Sequence, residues 1–258
     1  MTSYPRRAIP FLLALLATHS TAAELPRGAC DLPRPGTDLS HCDYSGRKLV
    51  GLDLSGVSFA GAKLEKTDLR KAKLAGADLR KANAKWANFT DADLAHADLR
   101  DADLFHAVFD RARLEDARFS GAYLFGANLI GSRAARADFS GAYLKDILME
   151  EIDLSGGTIR DCYAFRGVFT GAKMAGADLS GADLTGAAME DVDFTGATLK
   201  ATRLSGATLR QARFAQADLD GADFANADVW NANFDQARNR GESVQEALVE
   251  PFVVRERR

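Results

Sequence analysis

The stretch ADLAHADLRDADLF, residues 92–105, repeats one five-residue pattern: Ala, a carboxylate, Leu, then two free positions. Stepping by five from Leu94 in both directions gives forty centres, Leu39 to Phe234, without a phase break. Leu fills 21 of them and Phe 10, with Ala at 84, 134 and 164. Two positions before the centre Ala runs unbroken from Ala72 to Ala127, and two positions after it stand 17 of the chain's 22 glycines. A period of five fits neither the 3.6-residue helix nor the two-residue strand alternation. An unbroken repeat of this length points to a solenoid, in which each unit buries its apolar side only by stacking on the next.

The A-(D/N)-L-x-x units resemble those of the pentapeptide-repeat family, over residues 37–236. The resemblance implies an all-β fold, a right-handed quadrilateral β-helix with four pentapeptides per coil. The centre and the Ala two before it would point inward. About ten coils follow, and at ~4.8 Å per stacked strand the rod is roughly 48 Å long. Leu or Phe fills a narrow core, only a small residue fits an inner corner, and Gly after the centre permits a positive-φ turn.

A twenty-residue coil predicts that residues twenty apart stack and avoid like charges. The column Asp53, Lys73, Asp93, Arg113, Arg133, Asp153, Lys173, Asp193, Arg213 joins opposite signs at every step but Arg113–Arg133. This supports the register more than it explains stability, because an exposed pair is worth at most ~1 kcal/mol.

The ends depart from the repeat. Residues 1–23 read as an export signal: Arg6 and Arg7, an apolar run from Ala8 to Ala17, and the small-residue end Thr21-Ala22-Ala23. Its loss takes the net charge from -3 to -5 and predicts a periplasmic or secreted chain with no membrane span. Residues 24–36, rich in Pro, read as an N-terminal cap over the exposed strand edge. Residues 237–258 read as a C-terminal cap and tail: a short helix begun by a Ser243/Glu246 capping box, with Val244, Ala247 and Leu248 on one stripe, then an extended FVV and a charged tail. Related solenoids pair through this end, so the resemblance implies a homodimer contact as the alternative to a plain cap.

An exported chain favours disulfides. On the twenty-residue register, Cys42 and Cys162 fall on one inner column six coils apart, about 29 Å and far beyond bridging distance. Cys162 then stands in for Ala, and Cys30 is predicted to pair with Cys42 and clamp the cap, stabilising by roughly 2–3 kcal/mol.

Signatures of chemistry are absent from the sequence. There is no Gly-rich phosphate loop, and no paired Cys-x-x-Cys or His-x-x-x-His. His41, His96 and His106 read as solvent-facing turn residues, the last two on opposite sides of the rod. Asp78 and Asp98, flanked by Arg80 and Arg100, read as a solvated face rather than a catalytic carboxylate pair. No enzyme activity, cofactor or metal is expected.

One feature does not follow from the repeat. Phe105, Phe125 and Phe165 each follow a centre, and Tyr123, Tyr143 and Tyr163 each precede one on the same side. They form two adjacent columns interrupted by Lys145. Trp86 is expected to stack under His106 at a nearby corner, and Val108, Ile130, Leu148 and Val168 add apolar groups on the next side. The inner corners of this zone read Ile147, Ile152, Gly157, Cys162 and Gly167, which suggests a bulged coil. The aromatic columns either stack as a stabilising ladder or offer a partner site. The reading favoured is a non-enzymatic periplasmic scaffold that docks an envelope protein there. The resemblance supplies an alternative, a DNA-mimic rod acting on DNA gyrase or topoisomerase; export and mixed-sign columns argue against it, and no nucleic acid is expected. A purely structural spacer is the third reading.

Overall fold

A computed structural model describes residues 25–249. The predicted signal at 1–23, the FVV stretch and the charged tail lie outside the described residues. Parallel bridges join residues twenty apart, from Asp38↔Ser58 through Tyr123↔Tyr143 to Asp218↔Arg238. Four pentapeptides therefore complete each coil, and the chain winds into a four-sided parallel β-helix. Among the described residues no helix is long and apolar enough to cross a membrane.

The core is one residue deep per side. The centres are buried from Leu39 onward, and so are the residues two before them from Ala62 to Ala227. Phenylalanine centres twenty apart stack face to face, with Phe89–Phe109 at 4.7 Å and Phe119–Phe139 at 4.6 Å. Those separations match the ~4.8 Å strand spacing, so aromatic stacking and backbone pairing reinforce one repeat distance. Cys162 is buried at an inner corner, its thiol pushed up to about 12 by burial.

Hydrogen bonds between coils hold this core in register, and the backbone amides follow a recurrent pattern. The centre amide donates to the next coil (Leu124 N to Tyr143 O, 2.9 Å), as does the corner amide (Gly126 N to Lys145 O, 3.1 Å). The residue before the centre donates to the previous coil (Tyr123 N to Ala102 O, 2.9 Å), and the inner-corner amide closes the turn (Ala127 N to Leu124 O, 3.0 Å). The fifth amide, just after the centre, has no such backbone partner. The Asp or Asn before the centre accepts from it, as in Asp53 to Ser55 (3.1 Å), Asn88 to Thr90 (2.9 Å) and Asp138 to Ser140 (2.9 Å). The polar residue of the motif is thus a turn cap as well as a solvating group.

The zone predicted to bulge does not. The bridges Tyr143↔Tyr163, Leu148↔Val168 and Asp153↔Lys173 pass through it uninterrupted. Large and small corners compensate within a column. A Cβ on Gly167 would lie 3.2 Å from Cγ2 of Ile147, one coil below, and 2.7 Å from the Phe169 ring. The missing methyl makes room for the larger neighbour, so the volume error cancels locally.

The ends are covered as strand edges require. Residues 26–29 add a rung beneath the first coil, through Gly28 N to Asp38 O (2.9 Å) and Asp38 N to Pro26 O (2.8 Å). The Cys30–Cys42 disulfide forms as predicted, with Cα atoms 5.5 Å apart. Arg47 lies at an inner-corner register but turns outward, and its Nη1 donates to the Cys30 carbonyl (3.0 Å). At the other end α1, Glu242–Val249, lays a fully buried Val244 on the core. The capping-box reading of Ser243 is corrected. Its hydroxyl lies inside α1, where it accepts from Phe224 N (3.3 Å) and donates to Ala222 O (3.1 Å). It caps the last coil rather than its own helix, because an open strand edge presents unpaired groups of both kinds.

Two predictions follow from this packing. Asp138 accepts from the Ser140 amide and from the Ser120 and Ser140 hydroxyls, each hydroxyl at 2.6 Å. Burial works against its ionisation, but these donors and nearby Arg118 outweigh it and hold the carboxyl below its ordinary 3.8. Its contribution is full above that ordinary value and is lost as the pH falls below it toward the depressed folded value. Urea titration should show Asp138→Ala losing ~1–3 kcal/mol at neutral pH. Asp138→Asn, which keeps the amide acceptor, should lie closer to wild type at pH 3 than at pH 7. For the corner column, Ile147→Ala and Gly167→Ala should each destabilise, and the double variant should fall short of their sum by ~0.5–3 kcal/mol in the same assay.

Candidate functional site

The six aromatic residues singled out in the sequence come together on one side of the rod. The bridge column Asp103↔Tyr123↔Tyr143↔Tyr163↔Asp183 holds the three tyrosines one above another. Their ring centroids are 5.1 Å apart for Tyr123–Tyr143 and 5.3 Å for Tyr143–Tyr163. In the parallel column Phe105 and Phe125 stack at 5.6 Å with planes 7° apart. The columns interlock through Phe105–Tyr123 (6.3 Å), Phe125–Tyr143 (6.5 Å) and Tyr163–Phe165 (6.2 Å). Lys145, which interrupts the Phe column, places its ammonium 5.8 Å from the Phe125 centroid in a cation–π contact, while Phe165 takes Arg166 at 5.5 Å.

The ladder turns a corner of the rod. Trp86 meets Phe105 edge-on at 5.1 Å rather than stacking on His106. His106 sits against Phe105 at 4.3 Å and Phe125 at 5.8 Å. Both residues hold left-handed backbone, φ 53° for Trp86 and 51° for His106, which disfavours a side chain by roughly 1–2 kcal/mol. A Cβ on Gly126, one coil above, would lie 2.6 Å from the His106 ring, so glycine there both turns the chain and seats the imidazole. Beyond the corner Val108, Ile130, Leu148 and Val168 are half-buried.

Three properties define what this surface can do. First, the rings spend their faces on one another. The outer surface is uneven, with Tyr123 40% and Tyr163 36% exposed and the other four residues half-buried. Second, ion pairs close the ladder at both ends, Lys85–Asp103 at 3.0 Å and Arg203–Asp183 at 2.5 Å. Third, the tyrosines stand where the repeat calls for a turn-capping Asp or Asn. Among the described residues nothing accepts from the Phe125, Lys145 or Phe165 amides, whereas Asp103 reaches Phe105 N at 3.4 Å. On the adjoining side one carboxylate oxygen each of Asp110 and Glu150 is buried without a partner, and burial pushes the Asp110 carboxyl up.

The other sequence candidates are structural. Arg80 and Arg100 fold back in two-point contacts on Asp78 and Asp98, at 2.5–3.1 Å. His96 and His106 occupy outer corners, and His96 Nδ1 lies 3.8 Å from Asp116. Sequence reasoning missed Trp230, which is 64% exposed near the C-terminal end. Its signal was available, an aromatic residue just after the centre Val229.

Pentapeptide repeats match in 8 copies over residues 37–76, 53–91, 85–121, 117–156, 168–200 and 202–238. No curated protein matches the sequence at a significant level. Among solved structures the chain is similar to HetL of the cyanobacterium Nostoc sp. strain PCC 7120, a pentapeptide repeat protein involved in heterocyst differentiation regulation. The two are 27% identical over 76% of this chain and 86% of HetL, with a TM-score of 0.54. It is also similar to QnrB1, a plasmid-mediated fluoroquinolone resistance protein, at 19% identity over 86% of this chain and 98% of that one, with a TM-score of 0.42. With the five-residue period, the twenty-residue coil and the turn-capping Asp all in place, the chain belongs to the pentapeptide repeat family, whose members form right-handed quadrilateral β-helices.

Proposed function

We propose that this protein is a non-enzymatic scaffold of the periplasm or another exported compartment, and that it docks a protein partner on the ladder Phe105, Tyr123, Phe125, Tyr143, Tyr163 and Phe165. The observation that carries the reading is the replacement of turn-capping residues by tyrosine at three consecutive levels of one side. A contiguous exposed apolar patch on a soluble protein calls for a use, and Tyr and Trp are the residues that anchor interfaces. The partner is read as protein because the ring faces are already taken. Sugars and bases stack on faces, whereas edges and hydroxyls suit the apolar and carbonyl groups of a polypeptide. The Cys30–Cys42 disulfide supports an oxidising compartment and agrees with the export signal read at residues 1–23.

DNA mimicry finds no support in the surface. Many of its carboxylates are paired from the neighbouring coil, as in Arg111–Asp91, Arg136–Asp116 and Arg213–Asp193 at 2.6–2.9 Å, so acidic and basic groups are interleaved.

Tyr143→Asn separates docking from mere stacking. It removes three ring contacts worth ~0.5–1.5 kcal/mol each but restores an acceptor for the Lys145 amide, worth ~0.5–1.5 kcal/mol. The thermal midpoint should therefore fall by only several degrees, with the rod still folded. A photo-crosslinking residue placed at Tyr123 should capture an envelope protein, and Tyr143→Asn should abolish that capture. Retained capture, or a collapse of stability without any loss of capture, rejects the docking reading. A reporter enzyme active only after export, fused to residues 1–30, should be active; an inactive fusion removes the compartment from the proposal.

A further inference from the structure

The N-terminal cap holds a second arrangement with chemistry of its own. Among the described residues one group of three metal-competent side chains brings its ligand atoms within 4.8 Å of one another: Cys30, His41 and Cys42. Cys42 Sγ lies 3.7 Å from His41 Nε2. On a tetrahedral zinc ion, with bonds of about 2.3 Å to sulfur and about 2.0 Å to nitrogen, a sulfur and a nitrogen stand roughly 3.5 Å apart. The imidazole already sits at ligand distance from the sulfur beside it.

We propose that when the Cys30–Cys42 disulfide is reduced, Cys30, His41 and Cys42 become a three-ligand site for a soft or borderline d10 cation, Zn2+ or Cu+, with the fourth position open. Two thiolates and an imidazole are the donor set such ions prefer. The metal would then hold the cap where the disulfide held it.

The site is gathered by contacts that do not involve sulfur, so it outlasts the disulfide. The cap strand is tied to the first coil by Gly28 N to Asp38 O, Asp38 N to Pro26 O and Arg47 Nη1 to Cys30 O, at 2.8–3.0 Å. The Cα atoms of Cys30 and Cys42 stand 5.5 Å apart, close enough for side-chain rotation alone to set two sulfurs on one ion. His41 is exposed and gives the ion a path in, while Cys42 is buried behind it. Arg27 Nε donates to His41 Nε2 at 3.4 Å and, being exposed itself, can yield that lone pair to a metal.

The chemistry balances. A dithiol supplies two electrons and two protons, the S–S bond breaks to two thiols, and the dithiol leaves as its own disulfide. Cation binding displaces both thiol protons to solvent. The disulfide and the metal are mutually exclusive, so the site exists only in the reduced chain.

The test uses the full-length chain, oxidised and phosphine-reduced, the latter desalted under anaerobic conditions. Titration with Co2+ as a spectroscopic stand-in for Zn2+ should give one equivalent with thiolate charge-transfer and tetrahedral bands in the reduced chain and none in the oxidised one. Zn2+ displacement and Cu+ competition against a chromophoric chelator then tell which ion binds more tightly. His41→Ala should weaken binding by more than the ~10–100-fold that outer-sphere changes bring. Cys162→Ala, which removes the third and buried thiol, should change nothing. The proposal is overturned by any of four results: no stoichiometric binding on reduction, binding that survives oxidation, a His41→Ala variant with unchanged affinity and spectrum, or loss of the β-helix circular dichroism on reduction alone.

Discussion

Everything in this molecule depends on hydrogen bonds that run between coils rather than within them. The core is one side chain deep on each side but continuous along the rod, and it is held in register by the bonds between coils. The backbone therefore has to be satisfied almost completely, since an unpaired amide costs more than a made hydrogen bond contributes. Most amides find carbonyl partners through the winding itself, and the amide after the centre takes the side chain before the centre wherever that residue is Asp or Asn, as at Asp53 and Asn88. The motif A-(D/N)-L-x-x is the residue-level form of that requirement. A small residue turns the inner corner, a polar one caps the outer turn, and an aliphatic or phenyl group fills the side.

That dependence explains how much could be read without coordinates. Because the register never slips, residue number modulo twenty places every side chain, and the charge column, the aromatic columns and the isolation of Cys162 were all legible. The Cys30–Cys42 pairing followed by the same arithmetic. What could not be read were features set by local competition. Ser243 has the spacing of a helix cap, but the open edge of the last coil offers a donor at Phe224 and an acceptor at Ala222, and it bonds to those instead. Ile147 and Gly167 look like damage when read along the chain and like complementary volumes when read along the column. His41 precedes Cys42 in the sequence, but the turn decides whether its ring faces the sulfur, and the 3.7 Å approach of Nε2 to Sγ was not legible from order alone.

The same coil geometry explains the one like-charge step in the charge column. Arg113 and Arg133 are bridged neighbours, which alone would be unfavourable. Glu115 lies between them, 3.7 Å from Arg113 Nε and 3.4 Å from Arg133 Nε, while Arg113 keeps Asp93 at 2.6 Å. A column read one residue deep reports a conflict that the adjacent column resolves. The unit of electrostatic design on this rod is thus a patch of two columns.

The aromatic ladder is also two columns wide, and that bears on what it is for. If stacking were the whole role, the Phe column alone would suffice, since it sits after the centre and displaces no turn cap. Placing tyrosines before the centre gives up an acceptor at three successive levels, while the rings gained there satisfy no backbone group. The rings stand one above another at 5.1 and 5.3 Å, and on the adjoining side Asp110 and Glu150 each keep one buried carboxylate oxygen without a partner. The tyrosine column is therefore a departure from the capped repeat that stacking, already available from Phe105 and Phe125, does not require.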